Sequence, residues 1–269
     1  PYVDVIISTM KFSLKAGGTR PEDIYALGVP VLEAYTVLAP KEEWEQSPAG
    51  LDPMEVSMSV AMPEFDGVIH AVPIAAKVRD EAGEVSYAPL DERMERIARK
   101  ARKWAALRHK PNAEKKIAIV FHNYPATNAN IGSAAGLDSP ESVLSLLRAM
   151  RTAGYVMEEI PESSKAFMKL LTDHATNDRR FMTTEQAKSA DGQLTAAQYG
   201  AFFTELPEQV RTQLERDWGD APGDVFNYDG TLLIPGTLNG NFFITVQPPR
   251  GFGEDPGKLL HSPDAAPTH

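Results

Sequence analysis

The sequence contains no cysteine. Disulfide bonds, thiolate metal sites and a cysteine nucleophile are therefore excluded as parts of this chain. Any metal ion bound by its own residues must be held by His, Asp, Glu, Asn, Gln or a backbone carbonyl.

The chain also lacks an excess of positive charge and a long apolar run. It has 27 Lys and Arg against 37 Asp and Glu, a net charge of −10, which argues against a general nucleic-acid binder because phosphate backbones need clustered cations. No run approaches the roughly 18 apolar residues of a membrane span, and no signal peptide opens the chain. We therefore expect a cytoplasmic protein that binds no nucleic acid and spans no membrane. Because the chain begins at Pro1 without Met and stops at Pro-Thr-His, we expect a piece of a longer protein.

Familiar catalytic signatures are missing as well. The sequence has no GxGxxG, HExxH or GxSxG motif, which argues against a dinucleotide loop, a zincin and an α/β-hydrolase elbow. Gly253 to Leu259 is one residue short of a Walker loop and lacks its Ser or Thr. If ATP is used, another chain must bind it.

The pattern that is present predicts an α/β fold of two lobes with parallel βαβ (Rossmann/flavodoxin-like) units and a helical insertion. Residues 1–90 are predicted to be the C-terminal part of a first lobe, 91–111 a linking helix, and 112–269 a second lobe with a helical segment at about 163–218. Strands are predicted at 3–8, 29–36, 68–74 paired with 85–87, 117–121, 154–157, 226–233 and 241–246. Helices are predicted from Asp52-Pro53 to about 62, at 91–108, from a cap at Ser139 to Gly154, and at 165–173, 195–205 and 207–217.

The predicted helix at 91–108 has an apolar stripe and a face rich in Arg and Lys. Such a face could contact an acidic partner or nucleic acid. Since Glu92 and Glu95 are interleaved with the cations and no aromatic residue is, we predict an ordinary solvated face on a helix that bridges the two lobes.

One candidate site follows the strand at 117–121, where an apolar run ends in His122, Asn123 and Tyr124, followed by Asn128 and Asn130. Ligands of α/β proteins bind beyond the carboxyl ends of strands. Carboxamides can recognise carboxylates or amides, and the imidazole can bind a metal ion or move a proton. The alternative is that these side chains only satisfy backbone groups of the loop.

A second candidate site, Gln247-Pro-Pro-Arg250-Gly-Phe-Gly-Glu254-Asp255, follows the last predicted strand. Arg250 can bind a carboxylate through paired donors, and Glu254 or Asp255 can pair with it, bind a metal ion or accept a proton. The alternative is a rigid turn with an internal Arg–Glu salt bridge. A third, weaker candidate at 63–67 is explained by turn chemistry.

Three segments of this sequence resemble signatures of one family. They are FHNYPATNANIGSAAGLDSPESVLSLLRAMRTAGY at 121–155, GNFFITVQPPRGFGEDPGKLLHSPD at 240–264, and ALGVPVLEAY followed by EEWEQSPAGLDPMEVSMSVAMPEFDGVI at 26–69. Together they resemble the large subunit (CobN) of aerobic cobaltochelatase, which is similar to the porphyrin-binding H subunit of magnesium chelatase. The resemblance covers most of the chain. The sequences His122-Asn123-Tyr124 and Pro248-Pro249-Arg250 favour the cobaltochelatase branch of the family over the magnesium chelatase branch.

The resemblance implies a subunit that holds a tetrapyrrole while Co²⁺ is inserted into hydrogenobyrinic acid a,c-diamide during cobalamin biosynthesis. ATP and Mg²⁺ would be used only by separate AAA+ ATPase partner subunits. The alternatives are the magnesium chelatase H subunit acting on protoporphyrin IX, and a noncatalytic scaffold module that docks the ATPase subunits. Family members are several times longer, so we expect this piece alone to be inactive.

Chelation removes ring N–H protons as the metal ion enters, so it needs a base and a transient metal ligand. Within the resemblance, His122 is the candidate for both roles and Glu254 is a possible proton acceptor. Peripheral carboxylates and amides of the ring would be oriented by Asn123, Tyr124, Asn130, Gln247 and Arg250.

Overall fold

A computed structural model describes residues 3–14, 18, 20–47, 49–174, 177–178, 183, 185 and 190–248. The chain divides into two compact units, Pro1–Lys110 and Pro111–His269, and each is described by itself. None of the described helices is long and apolar enough to cross a membrane.

The first unit is built on a four-stranded sheet of order β1-β2-β3-β4, in which β1, β2 and β3 are parallel and β4 is antiparallel. Its elements are β1 (Ile6–Ser8), α1 (Pro21–Ala26), β2 (Val31–Pro40), α2 (Lys41–Gln46), α3 (Pro53–Val56), a π-helical turn (Ser57–Ala61), α4 (Met62–Phe65), β3 (Ile69–Arg79), β4 (Val85–Pro89) and α5 (Asp91–His109). The consecutive parallel strands confirm the predicted α/β class. β1 is shorter than predicted, whereas the predicted pairing of β3 with β4 is confirmed.

The helical stretch from Pro53 is longer than predicted. Asp52 caps it, because its carboxylate accepts a hydrogen bond from the Glu55 backbone N–H at 2.8 Å, and Pro53 occupies the first turn. The stretch then passes through a π-helical turn and ends at Phe65 rather than near Met62. That turn lies just before Pro63, whose ring and missing N–H are incompatible with a regular α-helical ladder.

Helix α5 packs on one face of this sheet. Ile97, Ala101 and Trp104 pack together with Leu32 and Val72. Most of the predicted apolar stripe is therefore on the buried side of the helix, although Met94, at its start, is exposed. The helix therefore belongs to the core of the first unit. Its role as a link between lobes, and the predicted domain limits, stay predictions.

The second unit contains two three-stranded sheets, of order β5-β10-β9 and β6-β8-β7. Its elements are β5 (Ile117–Phe121), α6 (Ser139–Thr152), α7 (Ser164–His174), β6 (Gly192–Thr195), α8 (Ala196–Thr204), α9 (Glu208–Trp218), β7 (Asn227–Tyr228), β8 (Thr231–Ile234), β9 (Gly236–Asn239) and β10 (Phe242–Val246). Helices α6 and α7 cover one face of the first of these sheets around Phe121, Leu144, Phe167, Phe242 and Ile244.

Two strand predictions in this unit are wrong. Residues 155–157 form no strand, and the parallel neighbour of β5 is β10; the Val156 carbonyl accepts one bond, from the Asn241 N–H just before β10. The predicted strand at 226–233 is a hairpin of β7 and β8, broken by Asp229 and Gly230, which have φ of 52° and 80°. Two successive residues with positive φ form the tight turn that suits a two-residue hairpin loop.

Helices α6 and α8 begin with side-chain caps. Thr195 and Gln198 form a capping box at the start of α8. Helix α6 is capped by Asp138, which accepts a hydrogen bond from the Glu141 N–H at 3.0 Å, and not by Ser139 as predicted. With Pro140 in the first turn, Asp138 occupies the preceding, non-helical position, where a side-chain oxygen can reach the free N–H groups.

Candidate functional site

The fold brings the starts of the two predicted loops together. β5 and β10 are adjacent and parallel, with Phe121 opposite Val246. The Gln247 N–H donates to the Phe121 carbonyl at 2.7 Å, so His122 and Gln247 leave the same edge of the sheet side by side. Residues about 125 positions apart therefore flank one place, beyond the carboxyl ends of two parallel strands.

The loop after β5 folds back closely on its own strand. The Gly132 N–H donates to the His122 carbonyl at 2.7 Å, and Gly132 has a φ of +75°. A Cβ at this position would lie 2.9 Å from the Phe121 ring and 3.3 Å from Ser139. Glycine is required here both by the backbone conformation and by the close approach.

Three amide groups join the two segments below the surface. Asn123 is fully buried, and its Nδ2 donates to the Asn177 Oδ1 at 2.5 Å. The Asn177 Nδ2 in turn donates to the Gln247 carbonyl at 2.8 Å. Nearby, the Asn128 N–H donates to the Asp178 carboxylate at 3.2 Å. We call Asn123, Asn177 and the Gln247 carbonyl the amide ladder; it fixes the loop after β5 to the segment after β10.

The ladder leaves one acceptor unused. The Oδ1 of Asn123 is buried and has no hydrogen-bond partner. A buried amide oxygen without a donor is unfavourable by roughly 1–3 kcal/mol. It is therefore a position at which an N–H or O–H group of a ligand would be stabilised.

The remaining predicted site residues differ in their surroundings. His122 is exposed and Tyr124 is half-buried, whereas the Asn130 Nδ2 donates to the Pro125 carbonyl at 2.9 Å within the loop. That bond is the loop-stabilising alternative considered for the Asn residues. Arg250 and Glu254 lie outside the described residues, as does Asp255.

An apolar cavity of about 350 Å³ adjoins the ladder. Asn177, Val246 and Pro248 line it beside the candidate loops, and its other walls include Leu194, Tyr199, Val225, Phe226, Leu232 and Ile234. An apolar pocket of this size with a few polar groups at one edge is typical of small-molecule sites.

The described residues supply no ready-made metal centre. Over that part of the chain, no three His, Asp or Glu side chains lie together as a metal site requires. His122 as a metal ligand stays a prediction, and a metal ion there would need further donors from a substrate or from other residues.

Sequence reasoning missed Asn177 and Asp178, both 2% exposed. They follow a predicted helix in a polar stretch, TNDRR, with no periodicity to mark them as buried. It also missed Glu33 on β2, which is 1% exposed with neither carboxyl oxygen hydrogen-bonded. Burial raises the pKa of Glu33 to about 7. The Ser8 hydroxyl lies near the carboxyl group and partly offsets this increase in pKa, although the two groups are not positioned for a hydrogen bond.

The third candidate, at 63–67, is a turn as predicted. The Asp66 N–H donates to the Pro63 carbonyl and the Gly67 N–H to the Glu64 carbonyl. The Asp66 carboxylate also accepts a hydrogen bond from the Ser13 hydroxyl at 2.6 Å, which ties the turn to the segment after β1.

Comparisons with known proteins agree with this architecture. A family model described as CobN/Magnesium Chelatase matches residues 1–269. The chain is 44% identical over its whole length to an uncharacterised protein of Methanocaldococcus jannaschii, of which it covers 23%. It is 37% identical over 90% of its length to the aerobic cobaltochelatase subunit CobN of Pseudomonas aeruginosa, of which it covers 20%.

A solved structure is also similar. The catalytic subunit of cobaltochelatase from Mycobacterium tuberculosis superposes with a TM-score of 0.81 at 32% identity, over 98% of this chain and 23% of that one. The magnesium-chelatase subunit ChlH of Oryza sativa is 34% identical over all of this chain. The chain spans about a fifth to a quarter of the length of these relatives.

Proposed function

The chain belongs to the CobN/magnesium chelatase family, and we propose that it is the part of a cobaltochelatase large subunit that binds one side of the tetrapyrrole. The reaction proposed for the whole subunit is the insertion of Co²⁺ into hydrogenobyrinic acid a,c-diamide, in cobalamin biosynthesis. ATP and Mg²⁺ would be handled by AAA+ partner subunits, in keeping with the lack of a Walker loop in this sequence.

The observation that carries the proposal is the pairing of an apolar cavity with a polar edge. Asn177 lines the cavity and also belongs to the amide ladder. A corrin-type ring has an apolar body and a periphery of carboxylates and amides. The cavity is too small for a whole ring, so it would hold one edge, with the peripheral groups over His122, Asn123 and Gln247.

We assign a chemical role to each candidate residue. The Asn123 Oδ1, which lacks a partner, would accept a hydrogen bond from a peripheral amide N–H of the ring. His122, exposed at the end of β5, would accept a ring proton or transiently ligate the incoming metal ion. Tyr124, Asn130 and Gln247 would help to orient the periphery, with Arg250 and Glu254 as carboxylate-binding and proton-accepting candidates.

The magnesium branch of the family is the alternative. Identity does not separate the branches, because relatives of both kinds lie near one-third identity. The His122-Asn123-Tyr124 and Pro248-Pro249-Arg250 wording supports cobalt. A comparison of hydrogenobyrinic acid a,c-diamide with protoporphyrin IX as ligands tests this choice.

The first experiment is a visible-absorbance titration of hydrogenobyrinic acid a,c-diamide into the chain. His122→Ala, Asn123→Ala and Arg250→Ala are compared with the wild type, and His109→Ala in the first unit is the matched control. We expect saturable binding that the three site substitutions weaken and the control does not. Absence of binding by the folded chain would contradict the proposal and favour the noncatalytic scaffold that docks ATPase subunits.

A further inference from the structure

Helix α5 carries a concentration of positive charge that its fold does not explain. From Arg96 to Lys110 the sequence contains no Asp or Glu, although acidic residues outnumber basic ones in the chain. The Lys and Arg residues in this interval are Arg96, Arg99, Lys100, Arg102, Lys103, Arg108 and Lys110.

Four of these cations form one exposed surface. Arg96, Arg99, Arg102 and Lys103 are all exposed, and at 3.6 residues per turn they lie within about one-third of the helix circumference. Ile97 and Ala101 are buried on the opposite side. We call these four residues the cationic stripe.

The predicted solvated face, with acidic residues among the cations, is present only in the first turns of α5, where Glu92 and Glu95 are exposed. Glu92 lies near Arg93 and Arg96 at the first turns of the helix. Beyond them, no carboxylate of the described part of the chain is within ion-pairing distance of Arg99, Arg102 or Lys103. Like charges spaced three or four residues apart weaken a helix by about 0.2–0.5 kcal/mol per pair, and the stripe contains several such pairs.

The helix dipole explains only the end of α5. Cations are favoured in the last turn of a helix, where Arg108 and His109 also lie near the Asp4 carboxylate at 3.4 and 2.9 Å. The stripe lies one to three turns earlier. Burial, together with the charge of the adjacent Lys100, lowers the pKa of His70, which agrees with a local excess of positive charge.

We propose that the cationic stripe is a docking surface for an acidic segment of a partner polypeptide. From Arg96 to Lys110 the charged interval extends over about 21 Å, the length of a short acidic helix. The net charge of −10 opposes the approach of a long polyanion, so a short acidic segment fits better than nucleic acid. This inference goes beyond the proposed tetrapyrrole site, since the stripe belongs to the first unit and the site to the second.

The test measures fluorescence anisotropy of a labelled helical peptide of about 16 residues with Glu along one face. A peptide with Gln in place of Glu and a single-stranded oligonucleotide of similar length are the comparison probes. The variant Arg99→Gln/Arg102→Gln/Lys103→Gln is set beside a control with the same charge removed from exposed positions of the second unit, Lys116→Gln/Arg151→Gln/Lys165→Gln. Circular dichroism checks that both variants fold.

We expect binding of the acidic peptide that weakens as salt is raised. The stripe variant should bind it about tenfold more weakly, while the control variant and the tetrapyrrole titration stay unchanged. No peptide binding at low salt, or equal losses in the two variants, would overturn the proposal. Tighter binding of the oligonucleotide, lost in the stripe variant, would replace it with a nucleic-acid surface.

Discussion

Glu33 in the first unit and Asn123 in the second are both buried polar residues. Glu33 lies opposite the end of β1, and Asn123 lies just after the end of β5, but only the side chain of Asn123 makes a hydrogen bond. Glu33 pairs in register with Ser8, the last residue of β1, and neither of its carboxyl oxygens has a partner. Asn123 follows β5 and is tied through Asn177 to the segment after β10.

The difference shows two ways in which a fold can treat a buried polar group. An isolated carboxyl is neutralised, because desolvation makes its charged form unfavourable and raises its pKa. An amide cannot change its charge, so it is stabilised only by partners, and those partners fix the position of two loops. The first arrangement makes stability depend on pH, whereas the second fixes loop geometry independently of pH.

The largest effect is expected from Gly132→Ala, which tests how tightly the loop of the second unit is held. The new Cβ would meet the Phe121 ring at 2.9 Å and would sit at a φ of +75°, so we expect a loss of about 3 to 4 kcal/mol in the free energy of unfolding. Gly136→Ala is the matched control, with a φ of +74° and no atom within 4 Å of the added Cβ.

In the control only the backbone strain remains, about 1 kcal/mol. Chemical denaturation of the two variants measures the difference. Equal losses would show that the contact with Phe121 relaxes freely and that the loop is less constrained than its geometry indicates.

Glu33→Gln tests the opposite side of the comparison. The folded-state pKa of Glu33, about 7, lies above its ordinary value of 4.5, so the folded chain holds the extra proton between these pH values. The contribution of this group to stability is fully present below about pH 4.5 and is lost as pH rises through about 7. The total loss is about 3 kcal/mol.

The Glu33→Gln variant should lack this pH dependence and should be the more stable protein at pH 8. Glu55→Gln is the control, since the buried Glu55 carboxylate accepts a hydrogen bond from the Leu38 N–H at 2.6 Å, and we expect that substitution to destabilise. The measurement is the denaturation midpoint of each protein from pH 4 to 9. If the midpoints of the wild type and of Glu33→Gln depend on pH in the same way, Glu33 is not a neutral, unpartnered carboxyl group.

Local sequence signals predicted those parts of the fold that local physics determines. Asp52 with Pro53 starts a helix as the capping signal indicated, and the helix predicted at 195–205 begins at Ala196. Asp229 and Gly230 also carry a local signal, because Asp-Gly between apolar runs is a strong hairpin signal; the single strand predicted at 226–233 overlooks it.

Non-local features could not be predicted in this way. The pairing of β5 with β10 joins segments about 125 residues apart, and a nearer apolar segment at 154–157 was an equally good partner by pattern. The burial of Asn177 depends on where the segment after α7 returns to the sheet, which no periodicity encodes. The sequence pattern predicted that His122 and Gln247 each follow a strand. That the two strands are neighbours, so that these residues lie side by side, is seen only in the structure.

The next largest loss of stability is expected from Asn177→Ala, which removes the middle member of the amide ladder. The substitution leaves the buried Asn123 Nδ2 and the Gln247 carbonyl without their partner, so we expect a loss of about 2 kcal/mol in stability. Asn177→Asp keeps the acceptor for Asn123 but removes the donor to Gln247. Asn112→Ala removes the exposed bond from Asn112 Nδ2 to the Ala153 carbonyl and the partly buried bond from Lys115 Nζ to Asn112 Oδ1. Because no buried amide is left without a partner, we expect a smaller loss, of about 1 kcal/mol or less. A loss for Asn177→Ala no larger than for Asn112→Ala would refute the ladder as a structural element.

The smallest effect is expected at the far end of the same loop, where Asp138→Ala removes the cap of α6 and should lower stability by about 1 kcal/mol. Asp138→Ser, which keeps a capping oxygen, is the control. A double-mutant cycle of Asp138→Ala with Asn177→Ala then tests whether the two ends of the loop from His122 to Asp138 are energetically coupled. Additive losses would show that the cap serves only its helix. A coupling energy above about 0.5 kcal/mol would show that the cap and the ladder hold the loop jointly. In the second unit, unlike at the isolated Glu33 of the first, a buried polar contact would then be coupled to an exposed helix cap.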